Sequence, residues 1–202
     1  MSITYPLTLP TVTGIRSITL RSVNAVAIEQ SPFTFAQQVQ ASSGQRWEAD
    51  VTLPPMKRES AATWVSWLRS LRGQYGTFLM GDPLCATPRG TAGGTPIITN
   101  QSGGTIIVTG AAVSQTGWLL SGDYIQIGTG SSATLHMVLQ DVDTDGSGNA
   151  AVEVWPHVRG TRSGTVTVSN AVGRFRLSDN MSDVTIDSAS TYGISFSAME
   201  AI

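Results

Sequence analysis

The stretch Asp141-Val-Asp-Thr-Asp-Gly-Ser-Gly-Asn149 sets three carboxylates at alternate positions and follows them with a glycine. Calcium takes its ligands from carboxylate and carbonyl oxygens, and D-x-D-x-D-G is the first half of an EF-hand loop. With Asp141 as the first position, the ninth is Asn149 and the twelfth is Val152. The loop needs a bidentate glutamate at the twelfth, and Glu153 falls one place late. No helix is written on either side, because "LHMVLQDV" and "AAVEVWP" both alternate like strands. Asp-Gly followed by Ser-Gly is a hairpin signal. The stretch reads as a solvated turn, with calcium on Asp141, Asp143 and Asp145 as the alternative.

Other reactive constellations are thinner. There is no G-x-S-x-G elbow. His136 alternates with Leu135 and Met137 on a predicted strand, and His157 follows Trp155-Pro156 in a predicted turn. Neither has a nucleophile or an orienting group in its motif context. Glu48, Asp50, Asp123 and Glu153 are the acids from which a glycosidase pair could be drawn. Glu48 and Asp50, two apart, instead look like the wet face of a strand. Cys85 is the only cysteine, so neither an internal disulfide nor a zinc cluster is available. The glycine-rich pieces "TAGGT" and "QSGGT" lack phosphate-cradle spacing. The chain is expected not to be an enzyme, and to hold no cofactor and no metal.

The elements that would carry these groups are mostly strands. "RSITLRSVNAVAIE" (16–29), with a turn near Asn24, and "PFTFAQQVQ" place apolar residues at even spacing. "ASSG" (41–44) reads as a hairpin turn. "QRWEADVTLPP" sets Trp47, Ala49, Val51 and Leu53 against Arg46, Glu48, Asp50 and Thr52. The period changes once. Ala61, Trp64, Val65, Trp67, Leu68 and Leu71 follow i, i+3, i+4, i+7 spacing and predict a helix over about 59–72. Ser60 is expected to cap it, and Gly73 to end it.

Residues 1–15, with Pro6, Pro10 and Gly14, read as an extended arm of the kind that often reaches a neighbouring subunit, with a disordered tail as the equal alternative. Between 76 and 94 the glycines and prolines predict a boundary. Residues 95–160 then read as a small all-β insert of short strands, and the longer strands resume from 161. Trp47, Trp64 and Trp67 are expected in the core, with Leu68 and Leu71. Trp118 and Trp155 could be core or a sugar-stacking platform.

Charged residues make up 13% of the 202 residues, about half the usual share, and the net charge is −2. A surface this poor in charge points to self-association. Eleven of the 12 basic residues are Arg, and Lys57 is the only lysine. Lys57, Arg58, Arg69, Arg72 and Arg89 surround the predicted helix without interleaved exposed aromatics, so nucleic-acid binding is not expected. Arg58, Arg69, Arg72 and Arg89 stand instead as candidate contacts with a neighbouring subunit. No apolar run reaches the ~18 residues of a membrane span. The opening residues carry no signal-peptide pattern, so the expectation is a soluble protein made in a cytoplasm.

The segment "RWEADVTLPPMKRESAATWVSWLRSLRGQYGTFLMGDPLCATPRGTA" resembles a group of tail proteins from long-tailed bacteriophages. The shared features are a tryptophan-bearing strand running into "LPPM", a helix with W…L…LRG, then G-x-F…D-P…P-R-G. "LLSGDYIQIG", "LHMVLQDV" and "DGSGNAAVEVWPHVR" resemble the second half of the same group, so the likeness covers about residues 45–160. It implies a virion structural protein of the tail tip, made in the host cytoplasm. The implied role is a distal tail protein, a hexameric ring joining the tail tube to the baseplate hub and fibres. The implied fold is mainly β: a tail-tube-like β-sandwich with one flanking α-helix over 1–94 and 161–202, and an inserted barrel-like β domain over 95–160. Trp47, Trp64, Trp67, Leu68 and Leu71 are then the core on which assembly rests. The rival expectation is a carbohydrate-binding, receptor-recognition module with a calcium-stabilised loop.

Overall fold

Alternation along 47–53 determines the first sheet. Trp47, Ala49, Val51 and Leu53 point inward and are buried, while Arg46, Glu48 and Asp50 point outward. A computed structural model, which describes residues 3–186 and 191–202, makes the chain mainly β with one α-helix among the described residues. The elements in chain order are β1 (Ser17–Gln30), β2 (Gln37–Thr52), β3 (Met56–Lys57), α1 (Arg58–Ser70) and β4 (Phe78–Met80). Then follow β5 (Gly94–Ala111), β6 (Tyr124–Ile127), β7 (Thr134–Val138) and β8 (Ala150–Thr167). The last are β9 (Gly173–Leu177), β10 (Val184–Ile186) and β11 (Thr191–Glu200).

One sheet runs β1-β2-β11-β9-β4, with β3 and β10 also paired to β11. The other runs β5-β8-β6-β7, and β8 reaches β7 as well. The two ends of β8 hold different strands: Trp155 lies opposite Met137 of β7, and Thr167 opposite Gln126 of β6. The expected break at 160/161 therefore falls inside a continuous strand. Each sheet has its own apolar cluster, and Leu135 and Trp155 from the second sheet join the cluster of the first.

α1 packs Ala61, Trp64, Trp67 and Leu68 inward, as its spacing requires. Trp67 meets Phe78 and Phe196 with ring centroids 5.0 and 5.7 Å apart, and Trp64 meets Trp67 edge-on at 5.6 Å. Such pairs contribute about 0.5–1.5 kcal/mol beyond their buried area. Ser60 does not cap this helix. The N-cap is Lys57, without a side-chain bond, because β3 pairs with β11 up to Lys57 and so starts the helix earlier. Leu71 is the C-cap, and Arg72 and Gly73 both take positive φ just beyond it. A Cβ at Gly73 would lie 2.7 Å from Asn180 Oδ1, the atom that accepts the Gln74 amide hydrogen.

Two local readings are corrected. "ASSG" lies within β2, and the hairpin turn is Ser31–Ala36, where the Ser31 amide donates to the Ala36 carbonyl. Near Asn24 the chain makes a β-bulge and no turn. The described part of the N-terminal segment straps its own chain. Leu7 bridges Phe78, the Tyr5 hydroxyl donates to the Ser70 carbonyl, and the indoles of Trp64 and Trp67 donate to Thr13 Oγ1 and the Thr8 carbonyl. Leu7, Leu9 and Ile15 pack on the first core.

Candidate assembly surface

The three aspartates of the turn do not converge. Asp141 accepts the Ser121 amide hydrogen at 2.8 Å, and Asp143 accepts that of Gly117 at 2.7 Å. Asp145 closes its own turn by accepting from the Ser147 and Asn149 amides, each at 2.8 Å. These bonds, the one from the Asn149 amide foremost, hold the Asp145 carboxyl below the ordinary aspartate range. Gly148 takes φ +74, where a Cβ would stand 2.3 Å from the Ala111 carbonyl oxygen. The acids thus staple loops to one another. Among the described residues, no three His, Cys, Asp or Glu side chains are grouped to hold a metal ion.

The candidate bases and acids, except His157, are similarly occupied. His136 is buried, with Nδ1 2.6 Å from the Pro156 carbonyl and Nε2 2.9 Å from Thr134 Oγ1. A carbonyl can only accept, so Nδ1 carries the proton. Burial pushes this imidazole down to about 4, so it is neutral at pH 7. His157 is exposed, and its amide donates to Gln45 Oε1. Glu48 pairs with Arg46, and Asp50 accepts from Ser197 and Arg21, which hold its carboxyl below the ordinary range. Asp123 is buried and accepts three backbone amides, from Arg89, Gly90 and Leu120. Glu153 accepts from the Gln140 side chain.

All five tryptophans are buried, and each indole donates to a distant segment. Trp118 is fully enclosed, and Trp155 is 9% exposed and set edge-on to Trp47 at 4.4 Å. Neither offers a face for a sugar. Trp47 joins the two sheets: its indole donates to the Leu135 carbonyl, and its amide to Glu200 Oε2. Leu68 and Leu71 are buried with it in the first core.

The basic residues do not form one patch. Arg58 lies at the start of α1, whereas Arg69 and Arg72 lie at its end, roughly 20 Å along a 13-residue helix. These three are exposed and make no ion pair among the described residues. Arg89 turns to Asp123 and the Ser121 carbonyl of its own chain.

What remains is a surface the spacing of reactive residues does not reveal. Beyond the bulge at Asn24, β1 and β2 continue as a two-stranded ribbon from Val26↔Ala41 to Gln30↔Gln37. From Asn24 to Gly44 every residue except Ser31 is exposed. Strand pairing puts Val26 opposite Ala41 and Ile28 opposite Val39, so these four share one face. Phe33 and Phe35 occupy the turn, 92% and 72% exposed. Phe35 holds φ +55, a left-handed conformation that costs a bulky residue about 1–2 kcal/mol. The outer edge of β1 carries no strand among the described residues, while the opposite edge, β4, is covered by Leu7. No helix among the described residues is long and apolar enough to cross a membrane. Searched against family models, the chain matches none, and no curated protein matches it significantly.

Proposed function

We propose that this chain is a structural protein that acts by joining further copies of itself. More particularly, we read it as a distal tail protein at the tip of a long-tailed bacteriophage, a ring that connects the tail tube to the baseplate hub and fibres. The observation that carries this reading is the projecting ribbon. An isolated two-stranded hairpin is marginal in water. This one also exposes a period-two apolar face and two phenylalanines. A partner's surface gives both features a use.

The unequal sheet edges support a head-to-tail contact, in which one surface meets a different one and the ring closes if the rotation permits. In this reading the first sheet and α1 form a tail-tube-like sandwich present in six copies. The second sheet, curled by the double pairing of β8, is a barrel-like insert on the ring's outer face. Arg58, Arg69 and Arg72 remain open to acids of a neighbour. The engaged His136 and carboxylates support a role without catalysis. For a carbohydrate-binding module the buried Trp118 and Trp155 provide no platform, and no other observation favours it.

Size-exclusion chromatography with light scattering, followed by negative-stain microscopy, tests the proposal. The expected outcome is a ring, formed alone or on isolated tail tubes, and weakened by Ile28→Ser with Phe33→Ser. A protein that stays monomeric under both conditions would refute it.

A further inference from the structure

Where the second sheet meets the end of β11, a recess of about 80 Å³ is lined by Ser131, Ser132, Thr134, Arg159, Arg162 and Arg174. Three guanidinium groups around one small space is a concentration of charge that needs an explanation in a chain with only 12 basic residues. Arg159 is accounted for. Its Nη1 and Nη2 lie 2.8 and 3.0 Å from the two oxygens of buried Glu200, and it also donates to the Gln45 carbonyl. Glu200 is therefore used, and it also accepts from the Trp47 amide at 3.2 Å.

Arg162 and Arg174 are different. Both are half-buried, and neither forms an ion pair among the described residues. Each is held in place by a backbone carbonyl: Arg162 Nη1 donates to Ser132 at 3.0 Å, and Arg174 donates to Ala201 through Nε and Nη2 at 3.2 and 3.0 Å. A guanidinium carries five N–H donors, so these bonds fix the groups without exhausting them. Two oriented cations, removed in part from water and without an ion pair among the described residues, carry a desolvation penalty that an anion relieves.

We propose that this recess binds a small inorganic oxyanion of the phosphate or sulfate type, held by Arg162 and Arg174 with the Ser131 hydroxyl beside them. The site is separate from the projecting ribbon, so it stands or falls independently of ring assembly.

The test is calorimetric titration of the full chain with inorganic phosphate, against sodium chloride at matched ionic strength. The expected result is saturable one-to-one binding of phosphate that chloride does not reproduce. Arg162→Gln should weaken it at least tenfold, and Arg162→Lys, which keeps the charge but loses the fork, should fall between. Arg69→Gln removes a distant positive charge and should leave it unchanged. If Arg162→Gln fails to fold, as judged by circular dichroism, Arg162→Lys against Arg69→Gln decides. Heat that follows ionic strength alone, or equal binding by the Arg162 and Arg69 variants, would overturn the proposal.

Discussion

Two long antiparallel pairs dominate the chain, and their burial differs sharply. β1 and β2 run 14 and 16 residues with one irregularity, yet only their base touches a core. β5 and β8 run 18 residues each with three register shifts, and they bury Ile98, Ile106, Val108, Val152, Val154, Val158 and Val166. Bulges bend and twist a strand, which lets a long pair curl around its own interior. The nearly regular pair cannot curl in that way and runs out into solvent. A pair that wraps its own core hides its apolar side chains, whereas the ribbon leaves Val26, Ile28 and Val39 exposed in a single copy.

The largest effects should fall on the curled pair and on the junction. Ile106→Ala is expected to lose about 2–5 kcal/mol in urea unfolding, and Trp47→Ala about 3–5 kcal/mol. Ile28→Ala, on the ribbon, should change monomer stability by less than about 0.5 kcal/mol. Equal losses at Ile106 and Ile28 would abolish the contrast.

A second test uses pH. The folded chain keeps His136 neutral down to about 4, while an unfolded chain protonates near the ordinary 6.5. Stability from this group is thus intact above pH 6.5 and declines as pH falls from 6.5 towards 4, by at most about 3 kcal/mol. His136→Gln should flatten that window. Asp50 and Asp145, whose carboxyls are depressed below the ordinary 3.8, contribute stability that is present above that value and lost only as pH falls below it. An unaltered slope in the variant would remove His136 from the account of the second sheet.

A smaller effect of opposite sign is expected at the ribbon tip. Phe35→Gly relieves the left-handed backbone and should leave the monomer unchanged or up to about 1 kcal/mol more stable, while weakening assembly. Loss of monomer stability would show that the aromatic ring serves its own chain. The least effect belongs to Asp143→Ala. It frees one amide in an exposed turn, and its thermal midpoint should not respond to added calcium; a calcium-dependent midpoint in the parent chain that the variant lacks would restore the metal reading.

The helix and the strand at 47–53 were legible because each writes one unbroken period against one buried face. Trp64, Trp67 and Leu68 recur at helical spacing, and Trp47, Ala49 and Val51 at strand spacing. The exposure of the ribbon is not legible in the same way. Val26, Ile28 and Val39 alternate as in any strand, and periodicity cannot say whether a surface of the same chain covers them. "ASSG" looked like a turn because small polar residues also suit an exposed strand. The N-terminal strap escaped notice because its ties are single contacts from Tyr5, Leu7 and Thr13, which leave no periodic trace. The recess beside β11 was invisible for a related reason: Arg159, Arg162 and Arg174 come together only through folding.

Met80 of β4 lies directly opposite Gly173 of β9. Everything between them, including all of the second sheet, leaves and re-enters the first sheet at a single point. Splicing those two positions with a short connector would excise the excursion without cutting any rung of the remaining ladder. Trp47 and Glu200 would then lose the Leu135 carbonyl and the Arg159 guanidinium. A replacement module grafted at this point must therefore bring an acceptor and a cation of its own, and any graft lacking them will expose an indole and strand a carboxylate.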